Sequence, residues 1–303
     1  MNLALVALVK NIKNVVENKL IFCDMNTFNM IIACPDKKGI IYDITSFLFS
    51  LGANIIELEQ HIEDSMFFMR IKWQMNSSLS KDDFLQKIQG LQQKFNLTIK
   101  LDNSGASKKL GLFCSKELHC LIDVLGKAAT NELNISIEYV ISNHKNVQSL
   151  VEKFNIPFFY IPTKKGSFQH ESECLKVMNN YQTDFIGLAR YMKILSGDFL
   201  QNAQQKIINV HHSFLPSFIG ANPYEEAYER GVKLIGATSH YVTEELDQGP
   251  IIEQVVRRIK HSHNIKNLKL MGKESEKEVF AFAIRKHLEN KLIVYKNRTI
   301  VFE

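Results

Sequence analysis

Three polar residues in the C-terminal half of the chain, Asn209, His211 and Asp247, have the types and spacing that acyl chemistry needs. Asn209 and His211 close the short apolar run KIINVHH, which predicts a buried strand. Successive strand residues face opposite ways, so these two point to the same side. One offers an uncharged amide donor and the other a titratable imidazole. That pair suits a carbonyl becoming a tetrahedral oxyanion: the amide stabilises O⁻ and the imidazole moves a proton. Asp247, in the loop before Gly249, is placed to orient or charge-stabilise His211. Singly, each has a plainer reading. Asparagine at a strand end forms turns, aspartate before glycine is turn chemistry, and a lone histidine is more often structural.

These residues need a scaffold, and from Lys109 onward the sequence describes one. KLGLFCS, ISIEYVIS, IPFFYIP, TDFIGLA and KIINVHH are short apolar strands with helical stretches between them, which predicts a Rossmann-like, mostly parallel α/β sheet. Such open sheets bind ligands at the carboxyl ends of their strands, where Asn209 and His211 fall. Ala237–Val242 and Pro250–Val256 read as two more strands around a turn, followed by a helix over Val279–Leu288 and a closing hairpin, LIVYKNRTIVF. His212 is expected to face away from His211.

Upstream, FNMIIAC reads as a strand. Ile40, Ile41, Ile44, Phe47, Leu48 and Leu51 recur at helical spacing, with Gly52 where a C-cap glycine would sit. NIIELEQHI and FFMRIKW follow as strands, the second alternating as a half-buried strand does. Ser80 with Asp83 opens a second helix, and LTIKL closes a βαββαβ, ferredoxin-like order. The expected organisation is an extension over 1–25, a plait over 26–101, a linker over 102–108 and a second domain over 109–303. The extension reads either as a short extra helix or as sequence upstream of a start at Met25, the second being preferred.

Bulk composition narrows the classes. The 303 residues are 45% apolar and 23% charged, as in an ordinary soluble protein. The net charge of +5 forms no dense stripe, which speaks against a nucleic-acid binder. The five cysteines are scattered and never spaced C-x-x-C, so a disulfide framework or zinc ribbon is not expected and a reducing, cytoplasmic setting is. His261 and His263 flank no carboxylate pair, and no metal site is expected. The apolar run Leu3–Val9 is too short to span a membrane. Arg257, Arg258 and Lys260 read as a solvated edge, with binding of a polyglutamate tail as the lesser option.

The longest informative stretch carries Asn209-Val210-His211, Ser213-Phe214-Leu215-Pro216, Gly236-Ala237-Thr238-Ser239-His240 and Asp247-Gln248-Gly249. In these motifs the chain resembles the folate-dependent formyltransferase family. The runs HHSFLP, SKELHC, LARYMKILS and NRTIVF resemble the hydrolytic branch of that family, and the PDKKG turn of the plait resembles an ACT domain. The resemblance implies Asn209, His211 and Asp247 as the catalytic trio, with His240 assisting. It implies folate contacts around Met192, Lys193 and Leu195 and along Thr243, Glu244 and Leu246. It further implies an effector site in the plait at Asp36, Gly39 and Asn54, with methionine and glycine as effectors, and a homo-oligomer. The substrate would be 10-formyltetrahydrofolate, with no separate cofactor, and the reaction would serve one-carbon balance and purine synthesis.

The acceptor is the open point. Transferases of this family that act on a ribonucleotide carry a glycine-rich turn after the first strand, whose backbone N–H groups hold the phosphate. Here that turn is Ser115-Lys116-Glu117-Leu118-His119-Cys120, with no glycine and one repelling carboxylate. Water is the acceptor this favours, with formyl transfer as the alternative. A non-catalytic sensor of amino acids and folate is the reading from another class, and formate release discriminates it.

Overall fold

The computed structural model describes residues 26–75, 80–103, 106–164, 166–216 and 223–303. The expected extension, its start at Met25 and part of the linker lie outside the described residues. The chain separates into two compact units, the second beginning at Ala106.

The first unit runs β1 (Asn26–Pro35), α1 (Ile40–Ser50), β2 (Asn54–Glu63), β3 (Met66–Met75), α2 (Lys81–Phe95) and β4 (Thr98–Asn103). Its four strands lie in the order β2-β3-β1-β4, each pair antiparallel, which is the βαββαβ plait. α1 buries Ile40, Ile44 and Leu48 and is followed by Gly52 at φ 72°, where a side chain would be strained. α2 starts at Ser80, whose hydroxyl accepts the Asp83 N–H. Both helices cover the face carrying Met30, Ile32, Met69, Ile71 and Trp73.

One expectation needs correcting. β3 is not half-buried, because Phe68 and Arg70 on its other face are also 2% exposed. The pattern rule presumes that polar residues mark a wet face. Arg70 breaks it by being paired: its guanidinium meets Glu57 at 2.6 Å and donates to Asn29 at 3.4 Å.

The second unit runs β5 (Lys108–Cys114), α3 (His119–Ala129), β6 (Ile135–Ser142), α4 (Gln148–Val151), β7 (Phe158–Tyr160), α5 (Gln169–Asn180), β8 (Phe185–Ala189), α6 (Gly197–Ala203) and β9 (Lys206–His211). It continues with α7 (Pro223–Glu229), β10 (Leu234–Tyr241), β11 (Ile251–Arg258), α8 (Ile265–Leu288) and the hairpin β12 (Leu292–Tyr295) and β13 (Arg298–Val301). Seven strands form one sheet in the order β11-β10-β9-β8-β5-β6-β7. β7 through β9 are parallel, and β10 and β11 are added antiparallel. Leu110, Leu112, Val140, Phe280 and Ile284 fill one side of this sheet, and Phe113, Ile141, Ile186, Leu188 and Phe199 the other.

The strand order reverses between β5 and β8. Such a switch point opens a crevice at the carboxyl ends of the strands. α8 is longer than the apolar pattern over 279–288 predicts. In its first half Leu268 is followed on the buried side by Gly272, Ser275 and Glu276, so no continuous apolar stripe announces it. Its start is set instead by Asn264 and Asn267, which cap each other's backbone N–H groups at 3.0 Å.

Candidate active site

β9 delivers Asn209 and His211 to the carboxyl end of the sheet, as its alternation predicts. β10 runs antiparallel beside it, setting His240 opposite Asn209 and Thr238 opposite His211. This register ties two sequence motifs together. Thr238, fully buried, donates to the Ser213 carbonyl at 2.9 Å and accepts the Leu215 N–H at 3.1 Å, pinning the turn that leaves β9. Ser239 donates to the Asn209 carbonyl at 2.9 Å.

Asp247 comes back to the same point from the loop between β10 and β11. It sits at φ 55°, in the left-handed region, and Gly249 completes the reversal. A Cβ on Gly249 would stand 1.8 Å from the Tyr241 carbonyl oxygen, so only glycine fits there. The Asp-x-Gly motif is thus a backbone requirement that aims the carboxylate. Asp247 Oδ2 lies 3.3 Å from His211 Nδ1, and Oδ1 lies 3.6 Å from His240 Nε2.

The electrostatics of this group follow from burial and pairing. Burial by itself would raise the Asp247 carboxyl, but hydrogen bonds from His211 and His240, with their charge, outweigh it. They hold the group well below the usual carboxylate range, so it is ionised. His240 Nδ1 faces the Tyr241 carbonyl at 2.9 Å, which can only accept, so Nδ1 carries a proton. The Asn209 amide nitrogen lies 3.2 Å from His240 Nε2, and at most one of its two N–H groups can point there, so the other remains available. His211 Nε2 is buried without a hydrogen-bond partner, on the far side of the ring from Asp247.

These residues line a cavity of about 370 Å³. Its walls include Asn209, His211, His240 and Asp247, together with Met192, Lys193, Leu195, Thr243, Glu244 and Leu246. Ten residues anticipated from the sequence therefore share one cavity. Met192, Ile194 and Leu246 keep about half their surface exposed, which makes an apolar rim suited to a flat heterocycle. The Met192 N–H is spent within the protein on Ser115 Oγ at 3.1 Å, and the Lys193 N–H on the Tyr191 carbonyl at 2.8 Å. A ligand meets this loop through its other backbone groups. His212, expected to face away, lines the same cavity with its ring 4.9 Å from that of His211. β9 ends at His211, and alternation ends with it.

Several supporting residues escaped the sequence reading. Glu171 of α5, 5% exposed, accepts the Ser196 N–H at 2.8 Å and its hydroxyl at 2.5 Å, anchoring the end of the Met192–Leu195 loop. Arg190 and Glu276, at the switch point, also went unnoticed. A charged residue directly after the all-buried run FIGLA was the available signal for Arg190.

The effector residues expected in the plait are not gathered in the same way. Asn54 lines an open groove with Tyr42, Thr45, Ser46, Phe49, Ala53 and Ile55, whereas Asp36 and Gly39 do not line it. Asp36 instead ties its backbone N–H to the Ser65 carbonyl at 2.9 Å, and Gly39 supplies the left-handed residue before α1.

A Rossmann-like sheet with Asn-x-His at a strand end and an aspartate folded back onto the histidine defines the formyl-transferring class. Residues 108–284 match the Formyl transferase family. The chain is 46% identical to the formyltetrahydrofolate deformylase of Bacillus subtilis (strain 168) over 278 residues, covering 90% of this chain and 93% of that one. The crystal structure of a formyltetrahydrofolate deformylase from Pseudomonas syringae pv. tomato superposes with a TM-score of 0.88 at 39% identity, covering 96% of this chain and 99% of that one. The phosphoribosylglycinamide formyltransferase of Anaplasma phagocytophilum gives 0.59 at 29% identity and reaches only 64% of this chain, against 93% of its own. The chain belongs to the formyltetrahydrofolate deformylase family.

Proposed function

We propose that the chain hydrolyses 10-formyltetrahydrofolate to tetrahydrofolate and formate, with Asn209, His211 and Asp247 as its catalytic residues and His240 assisting. The observation that carries this is the single cavity lined by Asn209, His211, His240 and Asp247, in which Asp247 bridges the two imidazoles. Water held near Asp247 attacks the formyl carbon as it gives up a proton to the His211 imidazole, and the carbonyl oxygen takes the negative charge. The free N–H of Asn209 stabilises that oxyanion. Asp247 balances the charge on His211 while the imidazole delivers a proton to N10. The C–N10 bond breaks, and formate and tetrahydrofolate leave.

The folate lies along Met192, Lys193, Leu195, Thr243, Glu244 and Leu246 in this reading, and the residues themselves supply the acid–base and electrostatic chemistry. The plait, residues 26–101, serves as an ACT-type regulatory domain for amino acids such as methionine and glycine, within a homo-oligomer. Residues 109–303 form the catalytic domain. The setting is cytoplasmic: the described cysteines, Cys34, Cys114, Cys120 and Cys174, are all free and buried. Among the described residues no helix is long and apolar enough to cross a membrane. Incubation with 10-formyltetrahydrofolate tests the reading: formate and tetrahydrofolate should appear one to one, and no formate release would contradict it.

A further inference from the structure

The crevice between β5 and β8 is the place an open α/β sheet ordinarily gives to a ligand. Here the protein's own charged side chains fill it. Arg190 is the first residue after β8 and adopts φ 60°, a conformation uncommon outside glycine. It lines the catalytic cavity beside Asn209 and His211. Its Nε lies 3.2 Å from Glu276 Oε2 of α8, and Glu276 is 1% exposed. The same carboxylate receives His119, the first residue of α3, at 2.7 Å and the Tyr224 hydroxyl at 2.6 Å. Glu117, in the turn after β5, is tied to Lys273 of α8 at 2.6 Å.

This cluster is expensive to keep. Buried ion pairs are often matched or bettered in stability by apolar residues of similar volume. Arg190 Nε and Nη1 are buried without good hydrogen bonds, and the backbone holding them is strained. His119, Cys120 and Glu276 stand close enough to suggest a metal site. Glu276 is already committed to three partners, though, one of them a cation, and burial keeps Cys120 a thiol. A cost of this kind at the wall of a reaction cavity calls for a use.

We propose that Arg190, anchored by Glu276, is the specificity-determining residue that shuts amine acceptors out and leaves water as the only nucleophile. This rests on the hydrolytic reading above. Water needs no room beyond its own volume next to the formyl carbon. An amine acceptor needs further space beside the formyl carbon, and the Arg190 side chain occupies part of the catalytic cavity's wall. In both reactions the C–N10 bond breaks and N10 gains a proton; what differs is whether a C–O or a C–N bond forms.

The test uses the full chain with 10-formyltetrahydrofolate labelled in the formyl group and excess glycinamide as the probe amine. Formate and formylglycinamide are counted together. Wild type should yield formate alone. Arg190→Gly, which suits the left-handed backbone, should raise the amide-to-formate ratio by about tenfold or more, the scale on which a pocket group discriminates between substrates. Arg190→Gly combined with Glu276→Gln removes the orphaned carboxylate and should give the same rise if the single variant folds poorly. A ratio unchanged in folded double variant, with formate still produced, overturns this inference and leaves hydrolysis standing. Formylglycinamide as the main product of wild type would instead overturn the hydrolytic reading.

Discussion

Replacing Asp247 by asparagine removes a charge and almost no volume, so it isolates what the carboxylate does for the two imidazoles. Its oxygens lie 3.3 Å from His211 and 3.6 Å from His240. At 3.3 Å and an effective dielectric of about 20, an imidazolium at His211 would gain about 5 kcal/mol from the carboxylate by Coulomb's law. The Asp247 side chain is 13% exposed, and solvent screening together with retained hydrogen bonding reduces the net loss to roughly 2–4 kcal/mol. That corresponds to a fall in kcat of about 30- to 1000-fold. KM should move far less, because Asp247 balances a charge that grows on the way to the transition state. Steady-state formate release gives kcat and KM, and the pH–rate profile should change shape once the balancing charge is gone. An asparagine variant with kcat within threefold of wild type and an unaltered profile would refute the argument and demote Asp247 to a turn residue.

Other perturbations follow from the same geometry. Asn209→Ala should leave folate affinity largely intact and cut kcat by roughly 10²–10³, the usual loss for one oxyanion donor; equal losses in affinity and turnover would count against that role. Gly249→Ala forces a methyl group onto the Tyr241 carbonyl. It should cost about 1–3 kcal/mol in urea unfolding and displace Asp247, so stability and kcat fall together; an unchanged midpoint would refute the close approach. The Asp247 carboxyl lies below its ordinary value in the folded protein, so its ionised form adds stability above pH about 4. That contribution is lost as pH falls from there through the lower folded value. Acid titrations of stability should show this dependence in wild type and lack it in Asp247→Asn.

Much of the candidate site was legible because strand alternation and motif spacing are local. Asn209 and His211 share a side because two steps along a strand make one full period. Asp247 was legible as a candidate from its glycine, and its true contact with both His211 and His240 emerged from the loop's left-handed turn. What escaped depends on contacts distant in sequence. Glu276 looks like one charge among many along α8, and only packing against His119, Tyr224 and Arg190 buries it. Arg70 misled in the same way, since pairing with Glu57 puts a cation where alternation predicts solvent. His212 joined the cavity because the chain stops being a strand one residue earlier.

The origin of the oxygen that enters the product tests hydrolysis most directly. Hydrolysis in H₂¹⁸O, followed by mass spectrometry of the formate, tests it in one turnover. Attack by water near Asp247 on the formyl carbon predicts one ¹⁸O per formate and an equal yield of tetrahydrofolate, whether or not an amine is present. Formate free of label, or a formyl group carried onto an added amine with little formate formed, would contradict it.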